Sequence, residues 1–119
     1  IKIDFTKNSR KSFSGYSFLD SKRIPINSAD RKKRIGKVPY YGATGQVGWI
    51  DDFIFDEELI LLGEDAAPFL DPYKDKAYLI NGKSWVNNHA HVLRAKPNLL
   101  NKFLLYLLNT FNYQDYVTG

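Results

Sequence analysis

The spacing of apolar residues near the end of the chain constrains the fold most. Between Pro97 and Asn112 they recur every three or four positions, which is the repeat of a helix with one hydrophobic face. Asn98 is placed to cap this helix, because its side-chain oxygen can accept a backbone N–H that the first turn leaves free. The pattern predicts a helix from about Leu99 to Asn112, whose apolar face has to pack on a sheet. The apolar positions are Leu99, Leu100, Phe103, Leu104, Leu107, Leu108 and Phe111.

Short strands separated by turns are predicted for the middle of the chain. Gly48 to Asp52 and Phe53 to Phe55 are strand-like and are broken by the pair Asp51-Asp52. Glu58 to Leu62 is a compact apolar run that ends at Gly63, as expected of a buried strand. Strands in the middle and a helix at the end favour an α+β fold over an alternating parallel one. We expect a curved, mostly antiparallel sheet with the C-terminal helix packed on it.

Two glycine-containing turns are predicted on either side of this region. The segment from Gly42 to Gly48 superficially resembles a phosphate-binding loop, but it lacks the Lys-Ser/Thr pair of a P-loop and no helical pattern follows it, so a tight β-turn is the better interpretation. Ala77 to Ile80, an Asn81-Gly82 turn and Trp85 to Leu93 predict a β-hairpin, because Asn-Gly readily adopts the positive φ angles that a two-residue turn requires.

Length and composition indicate one folded domain, residues 1–119. The chain has 44% hydrophobic and 25% charged residues, which is typical of a globular protein. It contains no apolar run long enough to span a bilayer and no signal-peptide pattern, so we expect no membrane association and take the cytoplasm as the default location. The lack of cysteine excludes disulfides and thiolate metal sites. Because the chain starts without Met and stops after a helix-like segment, we expect it to be a fragment of a longer protein.

Charge is strongly segregated along the chain. Residues 1–40 contain eleven Lys and Arg against three acids, whereas residues 41–73 contain eight acids and no Lys or Arg. Such segregation allows one face to attract a polyanion while another stays acidic. A basic run alone is most often a solvated loop, but the one from Arg31 to Lys37 comes directly before Tyr40 and Tyr41.

Several residue types suited to nucleic-acid recognition occur in the segments Val38 to Gly45 and Trp85 to Leu93 and next to them. Lys and Arg neutralise phosphates without selecting a sequence, whereas Asn, Gln and His can form directional hydrogen bonds with base edges. Tyr40, Tyr41 and Trp85 are possible stacking groups, and core packing is the simpler interpretation for Trp85. Asn87 and Asn88 could equally shape a loop. The residues predicted to contact phosphates are Arg31, Lys32, Lys33, Arg34, Lys37 and Lys83, and the further predicted DNA contacts are Tyr41, Gln46, Asn87 and His89.

Enzymatic alternatives have less support in the sequence. His89 and His91 are two residues apart, so on one strand they would share a face and could bind a metal, but a third ligand would have to come from elsewhere. Acidic pairs such as Asp51-Asp52 lack the spacing to a lysine that nucleases use, and no nucleophile arrangement is present. We predict no catalytic residue and no metal site. A module for single strands or RNA, and a small metal-dependent nuclease, remain as alternatives.

The order of the distinctive segments resembles a known family. The run from Ile24 to Gly45, then Gly63-Glu64-Asp65, then Gly82 to Leu93, is similar to the target recognition domain of a type I restriction-modification specificity subunit. The terminal Tyr116 to Gly119 also resembles the segment that precedes a strand and a long helix in this family. The match extends over most of the chain.

The resemblance implies a non-catalytic subunit that selects the duplex DNA sequence for methyltransferase (M) and restriction (R) subunits. It also implies that S-adenosylmethionine, ATP and Mg²⁺ are bound by those partner subunits, and that a second recognition domain reads the other half of a bipartite target. In such a domain, motifs such as Pro39 to Gly45 hold the fold, and variable loops select the sequence.

Overall fold

The computed structural model describes residues 2–3, 16–64, 70–71, 73–96, 100–114 and 117–118. Within these residues the chain forms strands, two α-helices and a 3-10 turn at Asp20–Lys22. The helices are α1 Ser28–Lys33 and α2 Asn101–Thr110. The strands are β1 Lys2–Ile3, β2 Tyr16–Phe18, β3 Val38–Tyr41, β4 Gln46–Ile50, β5 Phe55–Asp56, β6 Leu59–Gly63, β7 Ala77–Ile80, β8 Lys83–Val86, β9 Ala90–Ala95 and β10 Val117–Thr118.

The strands form two four-stranded sheets and one short two-stranded pair. Sheet I has the order β2-β9-β6-β7 and is antiparallel throughout. Sheet II has the order β4-β3-β8-β5, in which β3 and β8 are parallel and the other pairs antiparallel. β1 pairs with β10. The predicted α+β class with mostly antiparallel strands is confirmed.

Strand β6 lies at the centre of the core and is buried on both faces. Ile60 and Leu62 pack with Leu104 and Leu108 of α2. On the other face, Leu61 packs in one cluster with strands of sheet II. Sheet I therefore lies between α2 and sheet II. Burial on both faces explains why β6 is a continuous apolar run rather than an alternating one.

Helix α2 confirms the predicted C-terminal helix in a shorter form. It begins at Asn101, after Leu100 in the N-cap position, and Asn98 lies outside the described residues. Its buried side is narrower than predicted, since Leu100 and Phe103 are exposed while Leu104 and Leu108 are buried. The side chain of Asn109 fastens the helix to β7. Its Oδ1 accepts from the N–H groups of Lys76 and Ala77 at 2.7 and 2.8 Å, and its Nδ2 donates to the Ala77 carbonyl at 3.1 Å.

The predicted hairpin from Ala77 to Leu93 is wrong. Gly82 adopts the expected positive φ of 80°, but β7 pairs with β6 in sheet I, whereas β8 pairs with β3 and β5 in sheet II. The segment from Trp85 to Leu93 is also not one strand, because a turn after Val86 separates β8 from β9. One straight strand cannot contribute to two sheets, so the chain turns there. No helix of the described part is long and apolar enough to cross a membrane.

Candidate nucleic-acid interface

The first part of the basic run, Arg31 to Lys33, lies in helix α1 and not in the solvated loop that its charge alone suggests, while Arg34 is the C-cap and Lys37 follows the helix. The Asn27 side chain caps the helix, its Oδ1 accepting from the Asp30 N–H at 2.8 Å and its Nδ2 donating to Asp30 Oδ2 at 3.0 Å. The first bond satisfies a backbone N–H that the first turn leaves free, and the second holds the capping side chain in place. The basic residues fall in the last turn, where positive charge is favourable for the helix dipole.

Two arginines fasten α1 to sheet II. The guanidinium of Arg31 lies 4.7 Å from the centre of the Tyr40 ring, and that of Arg34 lies 4.8 Å from the Trp85 ring. Tyr40 and Trp85 are register partners across the parallel β3–β8 pair, so both rings point to the face that α1 covers. Arg34 also pairs with Asp51, with nitrogen to oxygen distances of 2.8 and 2.9 Å.

The five predicted phosphate contacts near α1 thus fall into two groups. Arg31 and Arg34 are half-buried and engaged with aromatic rings, whereas Lys32, Lys33 and Lys37 are exposed. The stacking candidates Tyr40 and Trp85 are 2% and 4% exposed, and the Trp85 Nε1–H donates to the Ile24 carbonyl at 2.9 Å. The core interpretation of Trp85 is confirmed, and the lysines are the charges of this group that face solvent.

The turn between β3 and β4 is the predicted tight turn. The Gly42 N–H donates to the Gly45 carbonyl at 2.8 Å, and Gly45 has a φ of 146°, which favours glycine. Tyr41 is half-buried with its ring centre 6.0 Å from that of Tyr78. Burial, with a smaller effect from Tyr41, raises the pKa of Tyr78, so it stays neutral and donates to the Gly42 carbonyl at 2.6 Å. Gln46 is exposed, and its Nε2 donates to the Gly48 carbonyl at 3.1 Å.

The remaining candidates lie on β8 and the turn that follows it. Asn87 shapes this turn, because its Oδ1 accepts from the His89 N–H at 2.8 Å and its own N–H donates to the Tyr41 carbonyl at 3.1 Å. His89 is exposed in the same turn. Lys83 begins β8, where its ammonium lies 4.9 Å from the centre of the Phe53 ring. Asn87 therefore lies beside Tyr41, whereas Lys83 lies at the other end of β8.

Polar contacts around His91 hold the 3-10 turn against β9. His91 Nδ1 is 2.6 Å from Asp20 Oδ2, and Arg23 pairs with Glu64 at 3.3 Å. Burial alone raises the pKa of Asp20, but hydrogen bonds from His91 and the Val92 N–H, with the charge of Arg23, outweigh it and hold that pKa below its ordinary value. The sequence predicted that His89 and His91 would share one face of a strand. This is wrong, because His89 lies in the turn before β9 and only His91 lies on the strand. Across the part of the chain that is described, no three His, Asp or Glu residues form a group able to hold a metal ion.

The parallel pairing of β3 with β8 places Tyr40 and Tyr41 beside Trp85 and Val86 in one sheet next to a basic helix. A family model described as the type I restriction modification DNA specificity domain matches residues 16–117. The chain therefore belongs to the family of type I restriction-modification DNA specificity domains, which confirms the resemblance noted from the sequence.

A curated relative supports the same family. A protein of Haemophilus influenzae, named as a type I restriction enzyme specificity subunit, is 31% identical over 103 residues. The aligned region covers 87% of this chain and 26% of the relative, so the chain spans about a quarter of the relative's length. No solved structure matches the chain significantly.

Proposed function

We propose that this domain reads a specific sequence in duplex DNA and supplies target specificity to a type I restriction-modification complex. The observation that carries the proposal is the basic helix α1, which two arginines fix on sheet II while Lys32, Lys33 and Lys37 face solvent. Phosphate contacts from such lysines set the position of a protein on DNA, and contacts with base edges select the sequence. Family membership supports the same assignment.

The base-reading residues are proposed to lie at the end of sheet II where β3 leads into its turn and β8 ends. Gln46 is exposed on the edge strand β4, and His89 is exposed in the turn that Asn87 shapes. Amide and imidazole groups can form directional hydrogen bonds with base edges in the major groove. In this arrangement Asn87 and Tyr41 position the turns, and the exposed residues Gln46 and His89 are the proposed base contacts.

Catalysis is proposed to belong to partner subunits. The domain selects the target, while M subunits carry S-adenosylmethionine and R subunits use ATP and Mg²⁺. This division rests on the family and on the aligned fraction of the relative, since the chain corresponds to about a quarter of a protein named as a specificity subunit. Co-purification of the chain with an M subunit from the same organism tests the partnership, and M subunits that never co-purify with it contradict the proposal.

Selection of bound duplexes from a random pool tests the DNA-reading function. We expect one short motif to be enriched, and an unlabelled duplex of that motif to compete better than its single strands or the matching RNA. Burial of Tyr40 and Trp85 favours this result, because rings covered by arginine guanidiniums are not free to stack on unpaired bases. Equal enrichment of all sequences, or better competition by single strands, would overturn the proposal.

A further inference from the structure

A shallow groove of about 320 Å³ lies between α1 and the edge strand β4. Arg31 and Lys32 line it on the helix side, and Gly48 and Trp49 line it on the strand side. Both charged lining residues are cations, which is the charge pattern of a site for a polyanion. The groove lies beside the exposed lysines of α1 and is distinct from the turn that carries His89.

Gly48 is the informative residue in this groove, because the fold itself does not require a glycine there. A Cβ placed on Gly48 would meet no atom within 4 Å, and its φ is outside the positive region. Gly36 differs, since a Cβ there would lie 2.2 Å from the Ile50 carbonyl oxygen. Glycine weakens a strand interior and often marks a place where another molecule approaches the backbone closely.

The direction of the missing side chain is fixed by strand register. Gly48 pairs with Tyr40 across β3 and β4, so a side chain at position 48 would point to the face on which Arg31 covers Tyr40. It would therefore enter the groove beneath α1. Glycine keeps that space open.

Exposed apolar residues on either side of Gly48 also line the groove, and because side chains alternate along a strand, those of Val47 and Trp49 project from the opposite face at the open edge of β4. Trp49 is 57% exposed and Val47 52% exposed on β4, and Ile35 is 87% exposed after α1. β4 is an edge strand of sheet II, so no described strand covers its outer side. Large apolar groups beside cations suit a ligand that alternates apolar and anionic parts, and the deoxyribose and phosphate units of DNA have this alternation.

We propose that this groove holds a segment of the sugar–phosphate backbone of duplex DNA. Lys32 and Arg31 contact phosphate oxygens, Trp49 packs against deoxyribose, and Gly48 allows the backbone to approach β4. The assignment rests on the proposed DNA-reading function and adds the place where the duplex is anchored. Such a contact is independent of sequence and fixes the register in which the turns of sheet II meet the bases.

Filling the groove tests the proposal. Affinity of the 119-residue chain for a fluorescein-labelled duplex of mixed sequence is measured by fluorescence anisotropy, for the wild type, Gly48→Ala and Gly48→Val. We expect a graded loss that reaches about tenfold for Gly48→Val, by a similar factor for duplexes of unrelated sequence. Ser17→Val is the matched control, because it adds the same branched side chain at an exposed position on edge strand β2 of sheet I.

A second pair of variants separates the groove from general charge. Lys32→Gln is expected to lower the slope of log affinity against log salt by about 0.9 in the wild type. In the Gly48→Val background the same change is expected to have little effect, because the phosphate no longer reaches Lys32. If Gly48→Val does not fold by circular dichroism, Trp49→Ala replaces it, with Tyr106→Ala on α2 as the control for loss of an exposed aromatic residue.

The outcomes distinguish the two proposals. Wild-type affinity in folded Gly48→Val, or in Trp49→Ala where it replaces that variant, overturns the groove assignment and leaves the DNA-reading function intact. A wild-type chain that binds no duplex overturns the DNA-reading function, and the groove assignment with it. A loss confined to single-stranded oligonucleotides would assign the groove to an unpaired base on Trp49, which contradicts the proposal.

Discussion

Arg34 should stabilise the fold more than its place in a basic surface run suggests. Its guanidinium covers the Trp85 ring and pairs with Asp51, and the two side chains of the pair are 33% and 43% exposed. A cation–π contact of this kind contributes about 0.5–1 kcal/mol. The ion pair adds about 0.5 kcal/mol once solvent screening is allowed for. We therefore expect Arg34→Ala to lower the free energy of unfolding by about 1–1.5 kcal/mol.

Urea unfolding followed by tryptophan fluorescence measures this loss, with Lys33→Ala as the control from the same helix. The exposed lysine should change the free energy of unfolding by less than about 0.5 kcal/mol. A double-mutant cycle with Asp51→Ala isolates the ion pair, whose coupling energy should decrease in high salt while the stacking contribution remains. If Arg34→Ala costs no more than Lys33→Ala, the proposed fastening of α1 by Arg34 is refuted.

Three further predictions concern the lysines, the helix α2 contact and acid stability. Replacing Lys32, Lys33 and Lys37 together by Gln should lower the salt slope of duplex binding by about 2.7 and leave the unfolding midpoint unchanged, if each contacts one phosphate. Asn109→Ala should lower the free energy of unfolding by about 2–3 kcal/mol, because it removes three hydrogen bonds to β7 and the residue before it. Asp20→Asn should cost about 1–2 kcal/mol at neutral pH. The pKa of Asp20 is held below its ordinary value of 3.8, so its carboxylate contributes fully to the free energy of unfolding above that value. This contribution is lost as the pH falls through the lower, folded-state pKa. Asp20→Asn should therefore lose less stability than the wild type on acidification.

Each of these predictions has a matched control in exposed residues elsewhere. Lys74, Lys96 and Lys102 replaced together by Gln remove the same charge from other surfaces, and an equal drop in salt slope would contradict the assignment to α1. Lys102→Ala, on the same helix, is the control for Asn109→Ala. If the two variants have comparable urea unfolding midpoints, Asn109 does not fasten α2 to β7. Asp75→Asn is the control for Asp20→Asn. If the free energy of unfolding falls equally in both variants from neutral to acid pH, the stabilising contribution of the Asp20 carboxylate is excluded.

The spacing of apolar residues correctly predicted strand β6 and helix α2. The apolar run of β6 and the repeat of α2 could be recognised because a buried strand and an amphipathic helix each have a characteristic spacing. The extent of the buried side of α2 could not be predicted, since Leu100 and Phe103 match the helical repeat but face solvent. Which apolar positions a sheet covers depends on the neighbouring strands, and the helix sequence does not contain that information.

Helix α1 was missed because six residues are too few to display an apolar period. A signal was present in Asn27 and Asp30, whose spacing suits a helix cap.

The wrong prediction of a hairpin has a different origin. Asn81-Gly82 correctly predicted a turn, but a local turn signal does not specify whether the strands on either side pair with each other or with distant strands.

The sequence offered a set of candidate contact residues but did not show how the fold arranges them. Arginines and lysines of the basic run are equivalent in a charge count. Only the fold shows that Arg31 and Arg34 cover aromatic rings while Lys32 faces solvent. The groove at Gly48 was also missed, because the role of a glycine becomes visible only when the space around it is known.

The parallel pairing of β3 with β8 also bears on the order in which the protein folds. Tyr40 and Trp85 are neighbours in sheet II, although β4, β5, β6 and β7 lie between them in the chain. Contacts between such distant segments form late, because closing a long loop costs entropy before the contact repays it. During synthesis α1 emerges well before β8, so Arg34 has no ring to cover until the strand carrying Trp85 is made. We therefore expect the basic helix to be among the last elements to become fixed, and the competence to hold DNA to appear only when the rest of the domain is already folded.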